Sequence, residues 1–306
     1  MAVHLTCSTI CFRNQPLEVM LAEIRRAGFL GLDFALVPGF CYPFDALGAG
    51  PDERREFVAR VLAAGFTLPT QTVVPGSFNA SGADADTIVR NATVFLDLAL
   101  QLRIPAVNIN CGRPIEDRGR FREHAALQAE GLRRIARRAA LSALTLNVEA
   151  PHRNGLCRTL DEACFLVDAI AEDNVRFLLD TTHVLAGGAS PSDAVTTFGA
   201  RLGCVHLRDG RGENIFLVPG DGEIDFKGFF AALEAAGYAG PCALELEGHG
   251  ETLAERRAGL ARALRFLLTQ GGAFEGLARP PAPGTPPTED AHCEPVGPGP
   301  ESERRP

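Results

Sequence analysis

The feature that most constrains this chain is a repeated alternation of short apolar runs with longer amphipathic segments. Apolar runs that suit β-strands are each followed by a segment with helical periodicity, and this pattern recurs along residues 3–268. Such an alternation predicts parallel strands joined by helical crossovers. The predicted strands are residues 3–8, 31–36, 67–74, 106–111, 145–150, 175–180, 203–207 and 242–246.

Eight strand–helix units over this length predict an α/β fold, a single closed (β/α)8 TIM barrel spanning residues 1–270. No G-x-G-x-x-G follows the first strand, which weighs against an open dinucleotide-binding sheet. The alternation stops near Gly271. Residues 271–306 are rich in Pro and Gly and poor in large apolar side chains, so we expect a disordered C-terminal tail.

Composition and charge exclude several classes of protein. No run of 18 apolar residues is present, which predicts no membrane span, and the N-terminus lacks the pattern of a signal peptide. The nine cysteines form no C-x-x-C pair, which favours free thiols in a reducing cytoplasm. A net charge of −8 argues against a nucleic-acid partner. Lys227 is the only lysine and begins a predicted helix, so Schiff-base and pyridoxal chemistry are not expected.

Residues that commonly bind metals stand at the ends of the last four predicted strands. These residues are Glu149, Asp180, His206 and Glu245. The carboxyl ends of parallel barrel strands form the active face, and a buried carboxylate must be paired, protonated or bound to a metal. A single such residue is more often a helix cap or an ion-pair partner, but four in succession predict a metal site. Three carboxylates and one imidazole suit one divalent ion, foremost Mn²⁺, with Mg²⁺, Co²⁺ or Zn²⁺ also compatible.

The motifs around these residues resemble the xylose isomerase-like TIM-barrel superfamily. That group includes sugar phosphate isomerases/epimerases, ketose 3-epimerases, inosose dehydratases and endonuclease IV, and it shares the fold of AP endonuclease family 2. The resemblance spans roughly residues 3–268 and implies that Glu149, Asp180, His206 and Glu245 are the metal ligands and that His183 faces the substrate. The motifs are Val148-Glu149, Leu179-Asp180-Thr-Thr-His183, Val205-His206-Leu-Arg208-Asp209, Pro219-Gly-Asp-Gly-Glu-Ile-Asp225 and Gly240-Pro-Cys-Ala-Leu-Glu245.

Two further residues are candidates for binding the substrate. His152 lies just past a predicted strand end and either contacts substrate hydroxyls or caps a loop. Arg208 follows the proposed ligand His206 by two residues, and it either binds a substrate oxygen or pairs with Asp209 or another nearby carboxylate.

The expected chemistry is proton transfer next to a carbonyl. If Glu149 and Glu245 flank the substrate, one removes a proton and the other returns one, with the metal stabilising the enediolate. Returning the proton to the opposite face epimerises a small sugar, keto-sugar or cyclitol, and returning it to the neighbouring carbon isomerises it. If a leaving group lies β to the carbonyl, the same site acts as a lyase or dehydratase.

The third and fourth predicted strands argue against a DNA repair role of the endonuclease IV type. Residues 67–74 and 106–111 lack the histidines that such enzymes use to hold extra zinc ions. No phosphate-binding motif stands out, which favours an unphosphorylated substrate. Assembly into a homo-oligomer is compatible with the sequence, since outer barrel helices often pair in this family.

Overall fold

The first and last barrel strands pair in parallel, with Cys7 opposite Leu244, and this pairing closes the sheet. The computed structural model describes residues 2–271 and 273–278. Around the closed sheet, each barrel strand neighbours the next in chain order. The predicted (β/α)8 barrel is therefore confirmed. The strands are β1 (Val3–Ser8), β2 (Gly31–Leu36), β3 (Thr67–Val73), β4 (Ala106–Asn110), β5 (Thr145–Glu149), β6 (Val175–Asp180), β7 (Leu202–Leu207), β8 (Asp209–Arg211), β9 (Asn214–Leu217), β10 (Pro241–Leu244) and β11 (Phe274–Glu275).

The helices form the outer layer and bury one face each against the barrel. In the first α-helix, which spans Leu17–Arg26, the buried side chains Leu17, Met20, Leu21 and Ile24 follow the spacing of a single helical face. Within the described chain, no helix combines the length and the apolarity that a bilayer crossing requires. The helices are α1 (Leu17–Arg26), α2 (Pro51–Ala63), α3 (Ala85–Gln101), α4 (Phe121–Ala140), α5 (Leu160–Ile170), α6 (Thr181–Ala186), α7 (Pro191–Phe198), α8 (Phe226–Ala235) and α9 (Leu253–Leu267).

The structure adds two elements that the sequence pattern did not predict, and both follow the carboxyl ends of barrel strands. Helix α6 has only six residues and starts directly after Asp180, whose side chain caps it by accepting from the backbone of Thr182 and His183. Strands β8 and β9 form a two-stranded antiparallel sheet directly after β7. Neither element is long enough to show a periodicity of its own.

Packing at the C-terminal end continues past the predicted boundary at residue 270. Strand β11 pairs in parallel with β1, with Phe274 opposite Val3. The Phe274 ring also packs edge-on against Phe230, with 5.4 Å between the ring centroids. Residues 273–278, which the sequence places in the tail, therefore lie against the barrel. The remainder of the predicted tail, residues 279–306, lies outside the described residues.

A buried polar layer crosses the barrel interior on strands β2 to β5. Asn147 donates a hydrogen bond to Asn108 Oδ1 over 2.8 Å, and Asn108 Nδ2 donates to Asp33 Oδ1 over 3.2 Å. Thr70 and Thr72 donate from β3 to the same Asp33 carboxylate. All five side chains are buried. This layer fixes a carboxylate inside the barrel, next to the residues predicted to bind a metal.

Candidate metal centre

The four predicted ligands lie at the same end of the barrel because their strands are parallel neighbours. Glu149 and Asp180 are the last residues of β5 and β6, His206 is the next-to-last residue of β7, and Glu245 directly follows β10. Beside them lies a cavity of about 1050 Å³. The inner wall of this cavity includes Glu149, His152, His183, Arg208, Glu245 and Glu247. The sequence therefore identified residues that the fold brings together.

His206 lies between two carboxylates of the candidate site. Its Nδ1 atom lies 3.3 Å from Glu245 Oε1, and its Nε2 atom lies 3.6 Å from Asp33 Oδ2. Both nitrogens are buried, and neither has a hydrogen-bond partner among residues 2–271 and 273–278. Burial opposes a charge on this imidazole, but the negative charges of Glu245 and Asp33 outweigh it and raise the pKa of His206 well above its usual value. A buried imidazole facing carboxylates on two sides has the surroundings of a metal ligand.

Glu149 and Glu245 present carboxylate oxygens to the cavity without ordinary hydrogen-bond donors. Glu149 Oε1 lies 3.9 Å from His183 Nε2, and Glu245 Oε2 lies 3.7 Å from Arg208 Nε. Burial raises the pKa of Glu149 to about 8. Burial acts in the same direction on Glu245, but the positive charges of His206 and Arg208 hold its pKa below the usual range.

Asp180 differs from the other two carboxylates because protein donors occupy both of its oxygens. Its Oδ1 atom accepts from the backbone nitrogens of Thr182 and His183 at 2.8 and 3.0 Å. Its Oδ2 atom accepts from Arg208 Nε at 2.7 Å. Burial would raise the pKa of Asp180, but the guanidinium of Arg208 lowers it below the usual range. Asp180 is thus ionised and firmly oriented beside the other candidate ligands.

The Arg208 guanidinium lies inside the ring of carboxylates and is 2% exposed. Besides Asp180, it donates from Nη1 to Glu247 Oε1 at 2.5 Å and from Nη2 to His183 Nε2 at 2.8 Å. Of the two roles that the sequence allows for this residue, pairing with nearby carboxylates is the one observed, although Arg208 also borders the cavity. A guanidinium only donates, so Nε2 of His183 accepts this hydrogen bond. On the other side of the ring, Nδ1 of His183 lies 3.4 Å from the backbone nitrogen of Arg153.

His183 and His152 lie against each other on the cavity wall, with 3.8 Å between the ring centroids and 43° between the ring planes. Burial lowers the pKa of His152 to about 4 and that of His183 well below its usual value. Both rings are therefore neutral at pH 7. Neutral imidazoles that border a cavity can exchange hydrogen bonds with substrate hydroxyls without adding charge.

These residues fit a divalent cation. Ligand atoms of Glu149, Asp180 and His206 lie within 4.8 Å of one another, and His206 belongs to a second such group with Asp33 and Glu245. The 3.3 Å between His206 Nδ1 and Glu245 Oε1 is close to the separation of two atoms that share one ion at about 2.1 Å. Oxygen-rich sets with one imidazole suit Mn²⁺, Mg²⁺ or Zn²⁺.

Asp33 is the residue beside the site that the sequence analysis missed. It lies inside the apolar strand β2 and is fully buried. A carboxylate in the middle of an otherwise apolar strand was the available signal, since such a group is stable only when paired or hydrogen-bonded.

Asp209 anchors the loop over residues 218–225, which carries the Pro-Gly-Asp-Gly motif. Its Oδ2 atom accepts from the backbone of Gly220 and Gly222, each at 2.9 Å. Its Oδ1 atom accepts from the backbone of Gly210 and Ile224. Asp209 therefore helps to hold this motif next to β7, together with Arg211, whose Nη2 atom donates to the carbonyl oxygens of Asp221 and Gly222. With its oxygens engaged in this loop, Asp209 is not available to pair with Arg208.

Known enzymes match between about half and three quarters of the chain. The L-ribulose 3-epimerase of Mesorhizobium japonicum is 28% identical over 239 residues, which is 76% of either protein. The 3-dehydroshikimate dehydratase of Pseudomonas aeruginosa is 31% identical over 152 residues, which is 47% of this chain and 24% of that enzyme. These relatives agree with the prediction that the chain is an enzyme.

Solved structures share the fold at low sequence identity. The crystal structure of the IOLI protein with a zinc atom superposes with a TM-score of 0.69 at 16% identity, covering 87% of this chain and 95% of that one. The family profile described as "Xylose isomerase-like TIM barrel" matches residues 21–270. The chain therefore belongs to the xylose isomerase-like TIM barrel family.

Proposed function

We propose that this protein is a metal-dependent isomerase or epimerase of a small sugar, keto-sugar or cyclitol. The observation that carries the proposal is the arrangement around His206. An imidazole with two unpartnered nitrogens in the described chain faces Glu245, and Glu149 presents a second carboxylate to the same cavity. Two carboxylates beside a cation site are the groups needed to move a proton next to a carbonyl.

The position of each residue indicates its role in the proposed reaction. Glu149 and Glu245 stand at the ends of strands on different sides of the barrel mouth, so they can reach a bound substrate from two directions. One removes the proton and the other returns it. His183 and His152 hold the substrate hydroxyls as neutral partners. A divalent ion held by Glu149, Asp180, His206 and Glu245 would supply the positive charge that stabilises an enediolate.

Elimination at the same site is the second candidate. Several relatives are named dehydratases, among them an inosose dehydratase of Geobacillus thermodenitrificans that is 32% identical over 140 residues. Those matches cover less than half of this chain. The matches to named 3-epimerases extend further, which supports proton return over loss of a leaving group.

The finer assignments follow from the site and the chain. We propose Mn²⁺ as the resident ion because the donors are mainly oxygens. The eight described cysteines are all free thiols, which supports the proposed location in the reducing cytoplasm. An unphosphorylated carbohydrate is the proposed substrate, with neither nucleic acid nor membrane as a partner.

Solvent deuterium exchange tests the reaction type before the natural substrate is known. The protein is incubated in D₂O with Mn²⁺ and a panel of ketoses and inososes, and the sugars are examined by NMR and mass spectrometry. We expect deuterium on a carbon next to the carbonyl, lost on treatment with a chelator. An unsaturated ketone that absorbs in the near ultraviolet would instead identify a lyase. Absence of both, in a protein that binds neither metal nor ketose, would rule out the proposal.

A further inference from the structure

Asp33 has no part in the proposed proton transfer. It is fully buried, and it is not among the residues that line the cavity. Its Oδ2 atom faces His206 Nε2 at 3.6 Å, whereas Glu245 faces the other ring nitrogen. The two carboxylates thus approach opposite sides of a single imidazole.

The Asp33 carboxylate is held in a fixed orientation. Its Oδ1 atom accepts from Thr70 Oγ1 at 2.8 Å and from Asn108 Nδ2 at 3.2 Å. Thr72 Oγ1 lies 3.0 Å from both carboxylate oxygens, so its hydroxyl proton is shared between Oδ1 and Oδ2. Most of the donors therefore bind Oδ1. The Oδ2 atom, which faces His206, still has a lone pair that can accept a hydrogen bond. A carboxylate oriented in this way selects the imidazole form that has its proton on the facing nitrogen.

We infer that Asp33 is a positioning residue that keeps the proton of His206 on Nε2 and so leaves Nδ1 free to bind the metal. The inference rests on the proposed metal site. In this role Asp33 acts on the metal through the orientation and protonation of His206. If Asp33 instead bound the ion directly together with Nε2 of His206, the ring proton would lie on Nδ1, the opposite of what we infer.

The Asp33→Asn variant tests this inference because it preserves the shape of the side chain while replacing the oxygen that faces His206 Nε2 at 3.6 Å by a donor. The donors Thr70 and Asn108 require an oxygen at the Oδ1 position, which places the new amide nitrogen opposite His206 Nε2. Two donors would then face each other unless the ring proton moves to Nδ1, the nitrogen needed by the metal. Loss of such an outer partner typically weakens metal binding by about 10–100-fold.

The first measurement is affinity for Mn²⁺ and Zn²⁺ by competition with a chromophoric chelator. We expect Asp33→Asn to bind both ions about 10–100-fold more weakly than wild type. Thr70→Val is the matched control, since it removes one donor to Asp33 but keeps the carboxylate that faces His206. We expect little change in that variant. Equal losses in both variants would indicate that Asp33 only supports the packing of the layer, and would overturn the inference.

The second measurement is the ring protonation of His206 in the zinc-loaded protein by long-range ¹H–¹⁵N NMR, assigned by comparison with His206→Gln. We expect the proton on Nε2 in wild type, and a proton on Nδ1 would overturn the inference. This spectrum tests the inference on the wild-type protein, so the test does not depend on whether Asp33→Asn folds. Failure of the wild-type protein to bind either ion would contradict the proposed function itself, whereas unchanged affinity in Asp33→Asn would contradict only the role of Asp33.

Discussion

Asp180 and Arg208 form a buried ion pair at the centre of the barrel mouth, with 2.7 Å between Oδ2 and Nε. The same guanidinium contacts Glu247 and His183. Four carboxylates, Glu149, Asp180, Glu245 and Glu247, thus share one permanent positive charge from the protein. A cation bound at this site must therefore coexist with Arg208.

Replacing Arg208 by Met should show how much this guanidinium stabilises the metal-free protein and how far a bound cation can replace its charge. Removing one partner of a buried ion pair leaves an uncompensated charge, so we expect Arg208→Met to lower the free energy of unfolding of the metal-free protein by about 3–5 kcal/mol. Saturating Mn²⁺ should restore part of the loss, because the ion supplies the missing positive charge. Urea denaturation with Mn²⁺ or with a chelator measures both effects.

The control for this variant is Arg262→Met. Arg262 pairs with Asp221 on the surface, where the ion pair is exposed. Such pairs contribute about 0–1 kcal/mol, so the control should unfold close to wild type with or without Mn²⁺. A loss in Arg208→Met as small as that of the control would show that the buried pair does not stabilise the metal-free protein.

Substituting the two proposed proton-transfer groups should abolish turnover without unfolding the chain. Glutamine keeps the shape of glutamate but neither accepts the proton nor supplies a negative charge to a metal. We expect Glu149→Gln and Glu245→Gln each to reduce metal-dependent deuterium exchange by at least about 100-fold. Exchange rates by NMR, together with circular dichroism to monitor folding, are the measurements.

Glu123→Gln is the matched control because Glu123 is exposed on α4 and pairs only with Arg120 among the described residues. Its exchange rate should equal that of wild type. Full exchange in either site variant would remove that residue from the proposed mechanism. Loss of metal binding in a site variant would identify the residue as a ligand in addition to any role in proton transfer.

The sequence predicted the barrel and the location of the candidate site for a physical reason. A buried strand that ends in Asp180 is a local pattern, and parallel strand order then brings such strand ends together. The contacts of Arg208 were not predictable from this pattern, because they depend on side-chain conformation and on residues far along the chain, such as Glu247. Asp33 was missed because its partner His206 is distant in sequence.

His249 should contribute to a loss of stability at mildly acidic pH. Burial lowers its pKa to about 4 in the folded protein, against an ordinary value near 6.5. Between these values the unfolded chain binds more protons than the folded one, so this group lowers stability as the pH falls from about 6.5 to 4, with a limiting slope of about 1.4 kcal/mol per pH unit.

The variant His249→Gln isolates this contribution. It removes the titrating group, so the free energy of unfolding of the variant should fall less steeply than that of wild type across this pH range. Urea denaturation at several pH values measures both slopes. Identical slopes would show that His249 is accessible to protons in the folded protein.

Gly131 in α4 should resist replacement by alanine even though alanine favours helices. A Cβ atom at this position would lie 2.1 Å from the Phe78 ring. Phe78 belongs to the loop after β3, and its backbone nitrogen donates to Gln128 Oε1 of the same helix at 2.9 Å. Overpacking of this kind costs about 1–3 kcal/mol, which exceeds the gain of roughly 1 kcal/mol from helix propensity.

We therefore expect Gly131→Ala to lower the free energy of unfolding, as measured by urea denaturation. The same substitution in a Phe78→Ala background should have the opposite sign, because the ring is gone and only the propensity of alanine remains. A stabilising effect in both backgrounds would mean that the loop shifts freely. Because Ser77 and Asn79, the neighbours of Phe78, border the same cavity as Glu149, a rigid contact at Gly131 also implies a fixed wall around the candidate site.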